Sequence, residues 1–297
     1  MKFIDIFAGI GGFHSGLTKA GMECVGWCEQ DKYAQQSYRA LYPTNNLWFS
    51  PDVRALNGTE MPYADLWCGG FPCQSVSIAG LKHGMENTRS GLFYQITRLL
   101  NETKHKPRWL LLENVKNLLS IDNGWGFYGV LSEMDKAGYS IAWRVYNTKD
   151  FGLPQNRERV FIIGHLGNDC PSEVLYRPNQ SEQSIVQVGN IIKTTSFGGN
   201  PQRGRIYSLD GLSPTLTCVK GGGIEPKILL SKNPNVIRKL TPREFWRLQG
   251  FTDQQFDKVR PLQSDAQLYK QAGNSVSIPI VYELGKNIIE QHRRLYE

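Results

Sequence analysis

The chain has 297 residues, enough to bury a large core in one large domain or in a large domain with a small one. Its hydrophobic content of 40% and charged content of 21% are ordinary for a globular protein, and we find no apolar stretch that could cross a membrane. The net charge of +7 favours a polyanionic partner, because Lys and Arg near phosphates release counterions. No secretion signal is recognisable around Asp5, so we expect a cytoplasmic protein. The six cysteines include no CxxC pair, so we expect no metal site.

Strand-like and helix-like segments alternate through the first half of the chain. Short apolar runs predict strands at Phe3–Phe7, Cys24–Glu29, Ala64–Cys68, Trp109–Leu112, Ile141–Tyr146 and Val160–Gly164. Segments with helical patterning predict helices at Phe13–Ala20, Lys32–Leu41, Gly91–Thr103 and Gly126–Ala137. This alternation predicts an α/β fold, with a mostly parallel sheet covered by helices on both faces.

The composition changes from Asn168 onward, where Gly, Pro, Ser, Thr and Asn become frequent. Strand-like pieces at Arg205–Ser208 and Thr215–Val219, without helical periodicity, predict a small, irregular, β-rich domain. Helix signals return at Thr241, where the sequence Thr-Pro-Arg-Glu is typical of a capping box. The last segment, Val276–Leu295, predicts an amphipathic helix.

A glycine-rich turn follows the first predicted strand and indicates a nucleotide site. Gly9, Gly11 and Gly12 permit a tight turn and a close approach of the backbone to a ligand. Glu29 ends the second strand twenty residues after Gly9, where an acid is suited to accept hydrogen bonds from ribose hydroxyls. The turn lacks the last glycine of GxGxxG, which argues against NAD. Asp52 is compatible both with contact to an adenine amino group and with a solvated loop acid.

Three further segments place reactive side chains next to predicted strands. Cys73 follows the third strand, at the sheet edge where open α/β folds carry their chemistry, although a structural cysteine fits as well. Glu113 follows a Leu-Leu-Leu run, and partial burial would suit it to sharing a proton with a ring nitrogen. Arg157 and Arg159 alternate in an extended segment and so can face one cleft, or they can form ion pairs with Glu158 or other acids.

Taken together, these segments resemble the DNA (cytosine-5)-methyltransferase family over nearly the whole chain, in the small bacterial or phage form. The segments that match its motifs, in family order, are FIDIFAGIGGF, CEQDKYA, GGFPCQSVS, ENVKNLL, QNRERVFIIG, RKLTPREFWRLQGF and QAGNSVSIPI. The resemblance implies a Rossmann-like, S-adenosylmethionine-dependent methyltransferase sheet with an attached target-recognition domain. It implies methyl transfer from S-adenosylmethionine to C5 of cytosine in a short, specific sequence of double-stranded DNA.

The resemblance also assigns the chemistry. It makes Cys73 the nucleophile on C6 of a flipped-out cytosine, with Glu113 holding N3 and the exocyclic amine. Arg157 and Arg159 secure O2 and the catalytic loop, and the segment Ser75–Asn87 closes over the base.

The cofactor pocket implied by the resemblance draws on several motifs. Its residues are Phe7, Gly9, Gly11, Gly12, Glu29, Gln30, Asp52, Val53, Pro72, Asn274 and Ser275. Family members usually carry an aromatic residue after the ribose acid to stack on adenine. Here that residue is Gln30, so we expect Phe7 to supply part of the stacking.

The resemblance divides the chain into a catalytic and cofactor-binding domain, residues 1–166 and 275–297, and a target-recognition domain, residues 167–274. Recognition of the DNA target sequence is expected within about Asn168–Val236, in the segment around Gln202 and Arg205. The expected DNA-binding residues are Gln202, Arg203, Arg205 and Thr215. Gln202 fills the gap left by the flipped base, the arginines contact guanine edges or phosphates, and Thr215 holds a phosphate. Each of these residues is equally compatible with a turn or with a solvated polar side chain.

Other functions fit less well. One branch of the family methylates cytosine in tRNA and carries a Cys-Phe-Thr segment, whereas Cys218 here precedes Val219. A catalytically silent DNA-binding subunit would be expected to have lost the Pro-Cys motif, and a nicotinamide oxidoreductase would leave Cys73 and Glu113 without a role. We expect a monomer with no membrane partner, and a separately acting cognate restriction endonuclease is compatible with this family.

Overall fold

The computed structural model describes residues 1–72, 91–219, 223–232 and 235–296. The strands within these ranges are β1 (Lys2–Ile6), β2 (Glu23–Cys28), β3 (Trp48–Ser50), β4 (Leu66–Gly70), β5 (Trp109–Val115), β6 (Tyr139–Asn147), β7 (Gln155–Asn156), β8 (Glu158–Leu166), β9 (Gln187–Asn190), β10 (Arg205–Ser208), β11 (Ser213–Pro214), β12 (Lys227–Lys232) and β13 (Asn235–Lys239). The α-helices are α1 (Gly12–Lys19), α2 (Lys32–Leu41), α3 (Leu92–Glu102), α4 (Trp125–Lys136), α5 (Pro242–Arg247), α6 (Asp253–Val259), α7 (Asp265–Asn274) and α8 (Ile278–Tyr296).

The main sheet has seven strands in the order β3-β2-β1-β4-β5-β8-β6. The first five strands in this order are parallel, and β8 runs antiparallel to both of its neighbours. Both faces of the sheet are buried. Side chains alternate along each strand, so successive residues lie in different cores. Leu110 and Leu112 belong to a core with Phe93 of α3, whereas Leu111 belongs to a second core with Leu284 of α8. The predicted α/β fold with helices on both faces is confirmed.

Most predicted elements of the first half lie within three residues of the observed ones. The helix Lys32–Leu41 and the strand Arg205–Ser208 have the predicted bounds. β3 was not predicted, because three residues are too few to show a periodicity. The first strand ends at Ile6 because Phe7 adopts a positive φ of 59° and leaves the strand.

The prediction of a strand at Thr215–Val219 is wrong. Side chains rather than a neighbouring strand satisfy this part of the backbone. The Leu216 carbonyl accepts from Arg157 Nη1 at 3.4 Å, and the Leu216 amide donates to Gln155 Oε1 at 3.2 Å. Because side chains pair with the Leu216 backbone, these groups do not need the hydrogen bonds of a β-ladder.

The β-rich region predicted after Asn168 is present as a four-stranded sheet in the order β13-β12-β10-β9. The helical segment α5–α7 follows it and packs against α2 and the turn after β1, with Phe245, Trp246 and Leu268 in one core with Ile10 and Leu41. The predicted capping box is confirmed at the start of α5. In the part of the chain that the structure describes, no helix is long and apolar enough to span a membrane.

Candidate active site

A cavity of about 390 Å³ lies at the carboxyl ends of β1, β2, β4 and β5. The predicted site residues that line it are Phe7, Gly9, Glu29, Gln30, Asp52, Val53, Pro72, Glu113, Arg157, Arg159 and Asn274. Gly11, Gly12 and Ser275 do not line it. Cys73 and the segment Ser75–Asn87 lie outside the described residues, but Cys73 directly follows Pro72 in the chain.

The turn after β1 shapes one end of the cavity, with a φ of 57° at Gly9 and 80° at Gly11. A side chain at Gly11 would place a Cβ 2.3 Å from the Tyr42 ring, and one at Gly12 would place it 2.7 Å from Val276. Gly11 and Gly12 therefore support the site from behind, because only glycine allows α1 to begin this close to its neighbours.

Glu29 lies directly after β2 and joins two loops at this end. Its Oε2 accepts the Gly9 amide at 2.8 Å, and its Oε1 accepts the Asp31 amide at 2.7 Å. Burial raises the pKa of Glu29, and the two amides oppose that shift by stabilising the anion. A carboxylate has about four lone-pair positions, so Glu29 keeps acceptor capacity for a ligand hydroxyl pair.

Asp52 caps the short 3-10 turn Val53–Ala55 and pairs with Arg54 at 2.6 Å. The Arg54 guanidinium holds the pKa of Asp52 below its usual value. Gln30 is exposed, and its Nε2 lies 3.5 Å from Asp52 Oδ2. The Asp52 carboxylate is therefore already bonded to two neighbours where it lines the cavity, and its contact with an adenine amino group stays a prediction.

Glu113 lies near the end of β5 and forms an ion pair with Arg159 across the antiparallel β5–β8 ladder. Arg159 Nε lies 3.2 Å from Glu113 Oε1, and the two side chains are only 14% and 12% exposed. Burial raises the pKa of Glu113, and the charges of Arg159 and Arg157 lower it. The pair thus places a carboxyl group with an upward-shifted pKa and its counterion on one wall.

The chain that leads to Cys73 is fixed against the same strand. The Asn114 side chain donates from Nδ2 to the Phe71 carbonyl at 2.7 Å, and both residues are buried. A Cβ on Gly70 would lie 3.1 Å from Glu113 Oε2. The backbone before Cys73 therefore passes close to the Glu113 carboxyl group.

Arg157 is 2% exposed and lines the cavity. Its guanidinium donates to the carbonyls of Ser275 at 2.7 Å, Gly273 at 3.3 Å and Leu216 at 3.4 Å. Burial lowers the pKa of Arg157 to about 9. Both arginines line the cleft, as the alternation predicted, but Arg157 mainly ties its own strand to two backbone segments, one at Leu216 and one at Gly273 and Ser275. Glu158 pairs instead with Lys116, at 2.9 Å.

Several lining residues were not predicted. They are Ile10, Cys28, Asp31, Ala34, Gly70, Phe71, Leu92, Asn114, Val115, Lys270, Gln271 and Gly273. Lys270 of α7 pairs with Asp31, the N-cap of α2, at 2.5 Å. The N-cap was readable from the sequence, but a partner 239 residues away was not.

The predicted DNA-binding residues lie apart from this cavity. Gln202 and Arg203 are exposed, and with Arg205 they line a second cavity of about 680 Å³. Arg205 also donates from Nη2 to the Asn200 carbonyl at 3.2 Å. Thr215 lines neither cavity, and its hydroxyl donates to the Asn156 carbonyl at 2.7 Å.

Comparisons with known proteins agree on one family. The model of the C-5 cytosine-specific DNA methylases matches residues 1–196 and 173–290. The Type II methyltransferase M.HhaI of Haemophilus parahaemolyticus is 35% identical, over 97% of this chain and 94% of its own length. The Type II methyltransferase M.NlaX of Neisseria lactamica is also 35% identical, over 97% and 96%.

Solved structures support the fold alone. The Dnmt2 methyltransferase of S. pombe has a TM-score of 0.75 at 18% identity, and the alignment covers 100% of both chains. The methyltransferase EhMeth of Entamoeba histolytica has a TM-score of 0.71 at 17% identity, covering 100% of this chain and 99% of its own. From the match to the family model and the identity to its Type II relatives, we conclude that the chain belongs to the C-5 cytosine-specific DNA methylase family.

Proposed function

We propose that this protein transfers a methyl group from S-adenosylmethionine to C5 of cytosine in a short, specific sequence of double-stranded DNA. The observation that carries the proposal is that Glu29 and the Glu113–Arg159 pair line one cavity, together with the Pro72 that precedes Cys73. We further propose that the protein acts as a cytoplasmic monomer. The Type II names of its relatives make a separately acting restriction endonuclease a compatible partner.

The residues at the Glu29 end fit S-adenosylmethionine. Glu29 has acceptor capacity for a ribose diol, and the Gly9 turn lets the backbone approach a ligand. Phe7 and Val53 offer apolar contact to adenine, while Asn274 and Gln30 offer polar groups at the same cavity. When bound, S-adenosylmethionine supplies an electrophilic methyl group on a sulfonium.

The residues at the Glu113 end fit a cytosine taken out of the DNA helix, which is the only form in which C5 and C6 are accessible. The Cys73 thiolate adds to C6, forming a carbon–sulfur bond and moving an electron pair of the C5–C6 double bond toward C5. Glu113, whose pKa burial raises, shares a proton with N3 and offsets the charge that develops on the ring. C5 would then bond to the methyl carbon as the bond between that carbon and the sulfonium breaks, which would leave a neutral thioether. A water molecule takes the C5 proton, and the carbon–sulfur bond between C6 and Cys73 breaks, so that the thiolate leaves and the aromatic ring is restored.

Arg159 has two tasks in this scheme. It keeps the Glu113 carboxyl group in place through the 3.2 Å contact, and its remaining N–H groups are available for O2 of the base. Arg157 acts one step further away, because it holds the carboxyl end of α7 through the Gly273 carbonyl and the backbone of the recognition region through the Leu216 carbonyl.

We propose the same division of the chain as the sequence indicated, with catalysis in residues 1–166 and 275–297 and target recognition in residues 167–274, of which α5–α7 pack against Ile10 and Leu41 and α7 also lines the cofactor cavity through Lys270 and Asn274. Gln202, Arg203 and Arg205 are proposed to face the DNA, since they line one cavity in the β-rich region. The Thr215 hydroxyl already donates its one proton to the Asn156 carbonyl, so a phosphate contact requires this proton to be shared.

The proposal is tested with S-adenosylmethionine labelled at the methyl group, incubated with unmethylated genomic DNA or with tRNA. Wild type is compared with Cys73→Ala and with Cys170→Ala, which removes an exposed thiol outside the site. We expect label in DNA from wild type and Cys170→Ala, none from Cys73→Ala, and methylcytosine at one short motif by bisulfite sequencing. Label in tRNA alone would move the substrate to RNA, and none in either would favour a silent DNA-binding subunit.

A further inference from the structure

Phe197 is the most exposed large apolar side chain of the described residues, at 86%. It lies in the short turn Ser196–Gly199, between β9 and β10 of the small sheet. Single exposed apolar side chains are common on protein surfaces, so this exposure alone has little meaning. The backbone and the surroundings of Phe197 distinguish it from an ordinary surface residue.

The backbone holds Phe197 in a conformation that its side chain disfavours. Its φ and ψ are 54° and 37°, in the left-handed region, and Gly198 and Gly199 follow with φ of 61° and 75°. A bulky residue with a positive φ is a genuine outlier in proteins. Strain of this kind is normally offset by packing within the protein, yet the Phe197 ring is exposed to solvent. We therefore infer that the ring packs against a binding partner.

The base of the turn is firmly held, so the position of Phe197 is prearranged. Asn200 Oδ1 accepts from Asn190 Nδ2 and from Gln187 Nε2, both at 2.8 Å. The Asn200 amide donates to the Phe197 carbonyl at 3.2 Å, and the Asn200 carbonyl accepts from Arg205 Nη2 at 3.2 Å. The turn is therefore joined to both flanking strands.

Phe197 shares the 680 Å³ cavity with Gln202, Arg203 and Arg205. None of the described residues that line this cavity is acidic. An aromatic face beside guanidinium and amide groups suits nucleic acid, whose bases stack on aromatic rings and whose phosphates and base edges accept hydrogen bonds. This charge complementarity favours DNA over an acid-poor protein surface as the occupant.

We propose that the Phe197 ring, which lines one cavity with Gln202, stacks on the bases that flank the gap expected to be filled by Gln202, and so lowers the free energy needed to take the target cytosine out of the helix. An apolar wedge at this place replaces part of the stacking that the DNA loses. The proposal rests on the proposed function and adds to it a residue that promotes base extrusion. It separates the role of Phe197 from that of Arg203, whose charge acts on the DNA whether or not a base is extruded.

The test compares wild type, Phe197→Ala, Phe197→Trp and the control Tyr63→Ala. Tyr63 is a half-exposed aromatic residue just before β4, at the amino end of this main-sheet strand, whereas the active-site cavity lies at the carboxyl ends. The substrates are a synthetic duplex that carries the motif mapped by bisulfite sequencing, and the same duplex with the target cytosine mispaired. Mispairing lowers the free energy of extrusion, so it removes the need for the wedge.

We expect Phe197→Ala to lower kcat/KM on the paired duplex by about tenfold or more and on the mispaired duplex by much less. Phe197→Trp should restore activity, and Tyr63→Ala should behave as wild type. Dissociation constants for S-adenosylmethionine and melting temperatures should be those of wild type in Phe197→Ala.

An active wild type with an equally active Phe197→Ala would overturn the proposal, as would an equal loss on both duplexes. A lower melting temperature of Phe197→Ala would show that the residue serves folding instead. An inactive wild type on every DNA would count against the proposed function, so the two failures are distinguishable.

Discussion

Replacing Arg159 with methionine tests the electrostatics of the site in isolation from its chemistry. Arg159 Nε lies 3.2 Å from Glu113 Oε1, and both side chains are more than four-fifths buried. Removing the guanidinium leaves a nearly dry carboxylate without its nearest cation. Breaking a buried ion pair from one side typically destabilises a protein by about 3–5 kcal/mol.

The pH dependence of that loss follows from the pKa of Glu113. Burial raises this pKa, and Arg159 is the first of the two cations that lower it, so the substitution raises it further. A carboxyl group with a higher pKa in the folded state than in the unfolded state binds more protons when folded. Its contribution to stability is therefore lost as the pH rises through the folded-state pKa. Arg159→Met should accordingly lose more stability at about pH 8 than at about pH 5.

The assay is urea unfolding at the two pH values for wild type, Arg159→Met and the double variant with Glu113→Gln. The double variant should regain much of the stability, because it no longer buries a charge. Lys116→Met breaks the exposed pair with Glu158 and should cost at most about 1 kcal/mol, with little dependence on pH. An equal loss at both pH values for Arg159→Met, with no recovery in the double variant, would refute the reasoning.

Three further predictions concern the frame of the site. Gly69→Ala places a Cβ 1.9 Å from the Ile6 carbonyl oxygen, so it should separate β1 from β4 and leave little folded protein, as checked by circular dichroism and thermal unfolding. Glu29→Gln can satisfy only one of the two amides that the carboxylate now accepts; calorimetry should show S-adenosylmethionine bound about tenfold or more weakly, and unchanged binding would count against the ribose role. Thr241→Ala removes the N-cap of α5 and should lower the free energy of unfolding by about 1 kcal/mol in urea, whereas Thr241→Ser should lose much less.

Local signals in the sequence were sufficient for much of the fold and for one end of the site. The Gly9 turn and Glu29 were predicted from glycine chemistry and strand ends, and the structure joins them by a 2.8 Å hydrogen bond. The helix Lys32–Leu41 has the predicted bounds because Asp31 caps its start and Pro43 follows its end.

Contacts between distant segments could not be predicted from the sequence. Lys270 meets Asp31 only because α7 packs back beside α2, which no periodicity records. Thr215–Val219 has the composition of a strand, but the Arg157 and Gln155 side chains bond to its backbone at Leu216 in place of a neighbouring strand. Arg157 was predicted as one of a pair facing the substrate, and its bonds to Gly273 and Ser275 depend on the end of a helix 116 residues away.

Attack of Cys73 on C6 of cytosine is the central claim, and a duplex with 5-fluorocytosine at the mapped target site tests it most directly. Fluorine at C5 cannot leave as a proton does, so the thiolate cannot be expelled after methyl transfer. We predict a covalent protein–DNA complex that resists denaturing electrophoresis, requires S-adenosylmethionine, and gives a peptide containing Cys73 bonded to the base. A complex formed equally by Cys73→Ala, or none formed by a wild type that methylates ordinary DNA, would contradict the account.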